Sequence, residues 1–202
     1  MKRGEKRSSQ SQKNKGSKSG AVRIISGRFR GRKLPVLDVQ GLRPTTDKNK
    51  ETLFNWLMPY LHEAKCLDAF AGSGSLGFEA LSRYAQTCTF IELDKKVASH
   101  IIANIDLLKL SAEQAQVLQG TASQVIEKLN SPFDLIFLDP PFHKELLPEV
   151  IAKIAARDLL AKDGVIYIEC EGQGRYTVPD NWQLIKEKQS AQVIVRLFKC
   201  VS

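Results

Sequence analysis

Between residues 66 and 170 the chain alternates short apolar runs with amphipathic stretches, and this alternation constrains its fold more than any other feature. Residues 66–70, 87–93, 115–119, 133–138 and 164–170 read as strands, rich in Val, Ile, Leu, Phe and Cys. A Gly-rich turn and a helix of about three turns separate the first two strands. Val97, Ile101, Ile105 and Leu108 recur at helical spacing, as do Leu147, Val150, Ile151 and Ile154. Strands alternating with helices predict a parallel sheet built from βαβ units. The ending breaks the pattern: 182–188 and 192–199 are separated by Ser190 and Ala191 with no helix between, which predicts a hairpin and an antiparallel edge.

Ahead of this body, residues 21–36 read as two short strands, 22–25 and 33–36, joined by a turn that displays Arg28, Arg30, Arg32 and Lys33. A helix is expected after residues 43–47, with Leu53, Phe54, Leu57, Met58 and Leu61 on one face. Residues 1–20 hold five Lys and two Arg and almost nothing apolar, so they are expected to form a disordered basic tail. Residues 1–50 carry 15 basic and three acidic side chains, and residues 51–202 carry 15 basic and 19 acidic, so the net charge of +8 is an N-terminal property. A basic arm on a mildly acidic body suggests a nucleic-acid partner. No apolar run is long enough to span a bilayer and the basic start lacks a signal-peptide core, so a cytoplasmic, membrane-free protein is expected. The four cysteines are far apart, with no His at ligand spacing, which points to reduced thiols and no metal site.

The first strand runs into Asp68-Ala69-Phe70-Ala71-Gly72-Ser73-Gly74-Ser75-Leu76-Gly77, and Glu92 ends the second strand 20 residues beyond Gly72. A G-x-G-x-x-G loop between strand and helix, followed by an acid at this distance, fits a dinucleotide site. Asp68 argues for a different ligand, because a carboxylate just below the loop repels a pyrophosphate and favours a cationic amino group. S-adenosylmethionine offers an amino group for Asp68, a carboxylate for the loop and ribose hydroxyls for Glu92, with its adenine near Thr121 and Ala122.

Asp139-Pro140-Pro141-Phe142 follows the apolar run Leu135-Ile136-Phe137-Leu138 of the fourth strand, at the carboxyl edge where open α/β sheets bind ligands. An exocyclic amine on a base has its lone pair delocalised into the ring and is a poor nucleophile. Asp139 can accept one N–H and the Pro140 carbonyl the other, holding the nitrogen for in-line attack. Two prolines stiffen the backbone, and Phe142 offers a stacking face. The acceptor stays open on these residues: adenine N6, cytosine N4, guanine N2 and a glutamine amide all present a planar NH₂. A nucleotide-binding, RNA-associated protein without catalysis is the alternative from another class. His143, Trp56 and Trp182 are expected to be a solvated loop residue and two packed side chains, and Lys95 and Lys96 an exposed helix start.

Arg43-Pro44-Thr45, residues 51–57 (ETLFNWL), 67–83 (LDAFAGSGSLGFEALSR), 91–94 (IELD) and 139–142 (DPPF) together resemble the RsmD family of bacterial small-subunit rRNA guanine-N2-methyltransferases. The resemblance covers nearly everything after residue 20. It implies a Rossmann-like class I methyltransferase fold, a mostly parallel seven-stranded sheet with helices on both faces, a C-terminal antiparallel hairpin and a small N-terminal extension at 21–62 ahead of a catalytic domain at 63–202. It implies S-adenosylmethionine as cofactor, bound by Asp68, Phe70, Ala71, Gly72, Ser73, Gly74, Glu92, Leu93, Thr121, Ala122 and Asp139. Asp139, Pro140 and Phe142 would be catalytic, with Pro141, Arg43 and Thr45 at the substrate and the basic turn on RNA. The partner would be 16S rRNA in the assembled or nearly assembled small subunit, and the enzyme a monomer. This chain departs from many relatives at Thr121, where they carry Asp or Asn, and at Asn49, where they carry an apolar residue.

Overall fold

The structure is a computed structural model that describes residues 20–37, 47–142, 144–172, 176–190 and 192–201, with backbone alone at 47–49. The tail before Gly20, Arg43, Thr45, His143 and the Asn49 side chain lie outside the described residues. Strands β1 (Gly20–Arg23) and β2 (Lys33–Val36) pair antiparallel as a separate two-stranded sheet. Helix α1 (Asp47–Leu61) follows. The body then runs β3 (Lys65–Asp68), α2 (Ser75–Ser82), β4 (Thr87–Glu92), α3 (Lys95–Leu107), β5 (Ala115–Gln119), α4 (Ala122–Ile126), β6 (Phe133–Leu138), α5 (Leu147–Ala156), β7 (Leu160–Glu171), β8 (Trp182–Gln189) and β9 (Val193–Cys200).

Seven strands form one sheet in the order β5-β4-β3-β6-β7-β9-β8. The first five are parallel, and β9 enters antiparallel beside β7 with β8 at the edge. Expected and observed architecture agree here. The chain lays strands outward from β3 to β5, then returns to place β6 on the other side of β3. That reversal makes the carboxyl ends of β3 and β6 the topological switch point, where a crevice opens.

The sequence of β6 shows why this sheet is covered on both faces. Leu135 and Phe137 enter one core with Leu53, Phe54 and Leu57 of α1, Phe78 of α2 and Ile101 of α3. Ile136 and Leu138 enter the other with Val125 of α4 and Val150, Ile151 and Ile154 of α5. The apolar run from Leu135 to Leu138 leaves neither face of the strand for solvent, so helices must pack on both sides. The N-terminal Ile24 and Leu34 join the first of these cores.

Several local expectations are corrected. Met58 is exposed, because the buried stripe of α1 runs through Leu53, Phe54, Leu57 and Leu61 and leaves Met58 at its margin. Helix α2 has eight residues rather than three turns, ending where Arg83 and the positive φ of Tyr84 turn the chain. Helix α4, with five residues, is too short for a periodic signal. Strand β7 begins at Leu160, four residues before the expected start; its polar entry, with Asp163 at φ 62° and a register shift opposite Phe133 and Leu135, hid it. All four cysteines are free and buried. Among the described residues no helix is long and apolar enough to cross a membrane.

Candidate active site

The crevice at the switch point is a cleft of about 1670 Å³, and it collects side chains from the carboxyl ends of β3, β4, β6 and β7. Asp68 closes β3, Glu92 closes β4, Asp139 follows β6 and Glu169 stands near the end of β7. Phe70, Ala71, Gly72, Ser73, Leu93, Thr121, Ala122, Pro140, Pro141 and Phe142 also line it. Asp68 and Glu169, 101 positions apart in sequence, therefore meet because parallel strands end on one side.

Backbone amides hold the loop after β3 in place. The Gly77 amide, in the first turn of α2, donates to Asp68 Oδ2 at 3.1 Å. The Gly72 amide donates to Glu92 Oε2 at 2.8 Å and the Asp94 amide to Glu92 Oε1 at 2.8 Å. Asp94 caps α3 by accepting from the amides of Lys96 and Val97. Glu92 is thus fixed from both sides, with the loop on one oxygen and the start of the next helix turn on the other.

The glycines divide into two roles. Gly72 lines the cleft with φ 52°, in the left-handed region that favours glycine. Gly74, named with the cofactor residues, does not line it; a Cβ there would meet the Phe78 ring at 2.6 Å. A Cβ on Gly77 would meet Phe90 at 2.2 Å and the Cys88 sulfur at 2.7 Å, so this glycine lets α2 lie against β4.

Burial pushes the Asp68 carboxyl up to about 7, with the charge of Glu92 adding to the rise and the amides of Gly77 and Phe70 opposing it. Withdrawal from bulk water, then the charges of Glu169 and Asp68, raise Asp139 well above the usual carboxylate range. Carboxylates that destabilise one another around one cleft suit a cationic ligand, which relieves the repulsion. The polar groups fit S-adenosylmethionine: a buried acid to accept from an amino group, a Gly loop for a carboxylate, an oriented Glu92 to accept from ribose hydroxyls. Thr121 Oγ1 caps α4 by accepting from the Gln124 amide at 3.2 Å, which leaves its hydroxyl proton for a ligand.

Arg28, Arg30, Arg32 and Lys33 are exposed on the N-terminal hairpin and do not line the cleft. Their connection is nevertheless pinned to the site's helix. Glu79 of α2, fully buried, accepts from the amides of Ile25 and Ser26 at 2.9 and 3.1 Å and pairs with Lys50 and Arg83. The Ser82 hydroxyl donates to the Ser26 carbonyl and accepts from the Phe29 amide, while the Arg28 amide donates to the Ser82 carbonyl.

Several cleft residues escaped the sequence reading. Trp56 packs on the first core, as expected, yet also lines the cleft; Trp182 is buried in the second core. Tyr167 and Glu169 come from β7, and Lys188 and Ser190 from the β8–β9 hairpin. The signal for Glu169 was present: a lone acid inside the apolar run Val165-Ile166-Tyr167-Ile168-Glu169-Cys170.

The family model described as Conserved hypothetical protein 95 matches residues 22–199. The chain belongs to that family, the RsmD family. It is 52% identical over 182 residues to a Ribosomal RNA small subunit methyltransferase D of Haemophilus influenzae, covering 89% of this chain and 94% of the relative. Its identity to the protein of the same description from Escherichia coli K12 is 49% over 184 residues, covering 91% and 92%. Among solved structures, a putative methyltransferase from Escherichia coli superposes with a TM-score of 0.84 at 48% identity, covering 90% of this chain and 99% of that one. A putative SAM-dependent methyltransferase from Streptococcus mutans, at 15% identity, shares the fold with a TM-score of 0.64. The fold of this RsmD-family chain is the Rossmann-like methyltransferase fold.

Proposed function

We propose that the chain methylates the exocyclic N2 amine of one guanine in 16S rRNA, in an assembled or nearly assembled small subunit in the cytoplasm. One observation carries the reading: Asp139-Pro140-Pro141-Phe142 opens into the same cleft as Asp68, Gly72 and Glu92. The names of the relatives support rRNA as the substrate class.

Asp68, the Gly72 loop, Glu92, Leu93 and Ala122 would hold S-adenosylmethionine. When bound, that cofactor supplies an electrophilic methyl group on a cationic sulfur. Asp139 would accept one N–H of the target amine and the Pro140 carbonyl the other, which turns the nitrogen lone pair out of conjugation and fixes its direction. Once that nitrogen has gained a fourth bond, its surplus proton passes to the Asp139 carboxylate, whose raised pKa makes it a better acceptor than an exposed Asp. Phe142 would stack on the flipped base, a contact worth roughly 1–3 kcal/mol.

Residues 21–62 would dock on rRNA ahead of the catalytic domain at 63–202, with the tail at 1–20 adding charge. Arg28, Arg30, Arg32 and Lys33 would meet phosphates, reading position and shape rather than base identity. The test is calorimetry with S-adenosylmethionine and with NAD, followed by methyl transfer from labelled cofactor to small subunits and to naked rRNA. Binding of S-adenosylmethionine and label in N2-methylguanosine support the reading; binding of NAD alone, or label on another base, overturns it.

A further inference from the structure

We propose that Glu169 selects guanine over other amine-bearing bases by accepting its N1–H, with Tyr167 holding the carboxylate in position. This rests on the guanine-N2 reading above and names the group that would make it specific. Asp139 and the Pro140 carbonyl can grip any planar NH₂, so they give no reason for guanine. Guanine differs from adenine and cytosine in the ring atom beside the amine. Its N1 carries a proton, whereas the adenine N1 and cytosine N3 are bare acceptors. Recognition of guanine therefore calls for a second acceptor next to the one that holds the amine.

The sheet supplies one. Strands β6 and β7 are parallel with Leu138 opposite Ile168, so Asp139 and Glu169 are the next residues on adjacent strands, whose backbones lie about 4.8 Å apart. Leu138 and Ile168 enter the second core while Phe137 and Tyr167 enter the first, so alternation turns Glu169 to the Tyr167 side of the sheet. Both acids line the cleft.

The Tyr167 hydroxyl donates to Glu169 Oε2 at 2.7 Å. Oε1 has no hydrogen-bond partner among the described residues and Glu169 lines the cleft, so this carboxylate keeps an oxygen that can accept from a ligand there. Burial, then the charges of Glu169 and Asp139, push the Tyr167 phenol well above its ordinary value, which keeps it a donor. A base with a bare N1 would set a lone pair against this carboxylate, and sites built on a hydrogen bond reject such analogues strongly.

The experiment compares small subunits reconstituted with guanine or with 2,6-diaminopurine at the methylated position. The analogue keeps the 2-amine but has a bare N1. Wild type is expected to favour guanine in kcat/KM by at least about a hundredfold. Glu169→Gln, whose amide can donate as well as accept, is expected to narrow the ratio to under about tenfold while S-adenosylmethionine affinity stays within about threefold. A ratio unchanged in Glu169→Gln overturns the inference, as does a wild type that shows no preference. If Glu169→Gln folds poorly, Tyr167→Phe removes only the orienting hydroxyl and is expected to narrow the ratio at least about threefold; an unchanged ratio again overturns it. Label from wild type on any atom but guanine N2 defeats the functional reading itself, and is recognised before any variant is compared.

Discussion

The Gly72 amide and Glu92 Oε2 stand 2.8 Å apart, so the acid that closes β4 also holds the loop that follows β3. One side chain thereby sets two walls of the cleft. Its second oxygen accepts from the Asp94 amide, which leaves the carboxylate no freedom to turn away. Replacing Glu92 by Ala removes a charged acceptor from two amides and from any ribose hydroxyls. Calorimetry is expected to show S-adenosylmethionine affinity falling roughly ten- to a hundredfold, in line with about 1.5–3 kcal/mol for a charged hydrogen bond. Affinity within threefold of wild type would mean that Glu92 serves the loop alone.

Asp68 gives the cleft a pH dependence. Its carboxyl is pushed up to about 7, above its unfolded value, so the stability tied to its neutral form is present at low pH and lost as pH rises through about 7. An ammonium ligand needs the ionised form, and the sign for binding is the opposite. Affinity for S-adenosylmethionine is expected to rise about tenfold per pH unit from pH 5 towards 7 and to fall again above about 8, where the ligand's own α-amino group loses its proton. Titration calorimetry at pH 5.5, 7 and 8.5 measures the slope. In Asp68→Asn the slope is expected to vanish together with most of the affinity; a wild-type profile that is flat would remove Asp68 from contact with the cation.

How much of this was legible beforehand follows from the range of each interaction. The βαβ order, the Gly loop, Glu92 and Asp139 could be read because each sits at a strand end whose apolar run is contiguous in sequence. Glu79 could not: it lies within α2, and only tertiary packing brings Lys50, Ile25 and Ser26 to it. Gly74 and Gly77 share one motif with Gly72 yet answer to Phe78 and Phe90, aromatic partners that no spacing rule reveals. Trp56 and Glu169 reach the cleft from elements whose positions depend on the assembled sheet.

The network around Glu79 joins the N-terminal hairpin to α2. Glu79 is fully buried and Lys50 is 1% exposed, so removing the acid takes the carboxylate from a buried ammonium that still donates to the Arg23 carbonyl and the Ser75 hydroxyl, and takes the acceptor from two amides. Glu79→Ala is expected to lose about 3–5 kcal/mol in denaturant unfolding. Amide exchange at Ile25 and Ser26 is expected to accelerate in the same variant. Exchange at wild-type rates would show that the hairpin is held by its apolar residues, Ile24 and Leu34, instead.

Gly77→Ala tests the packing of α2 on β4. The added methyl has no room between Phe90 and Cys88, and an overpacked core of this kind costs about 1–3 kcal/mol. The melting temperature is expected to fall by roughly 3–10 °C. A melting temperature equal to wild type would mean that the helix shifts outward at no cost.

The four cations of the hairpin predict a salt effect. Changing Arg28, Arg30, Arg32 and Lys33 to Ala is expected to flatten the slope of log affinity against log salt for rRNA by roughly 3–4. S-adenosylmethionine affinity is expected to stay within about twofold, since none of the four lines the cleft. An unchanged salt slope would move the docking surface elsewhere.

The proposed function turns on Asp139 at the switch point, which would hold the amine of a guanine for methylation. It is tested most directly by single-turnover transfer from labelled S-adenosylmethionine to small subunits, with wild type and Asp139→Ala, and by mapping the labelled base. Wild type is expected to give one N2-methylguanosine, and Asp139→Ala a rate lower by at least about a thousandfold at cofactor affinity within a few-fold. Near-normal turnover by Asp139→Ala would contradict it.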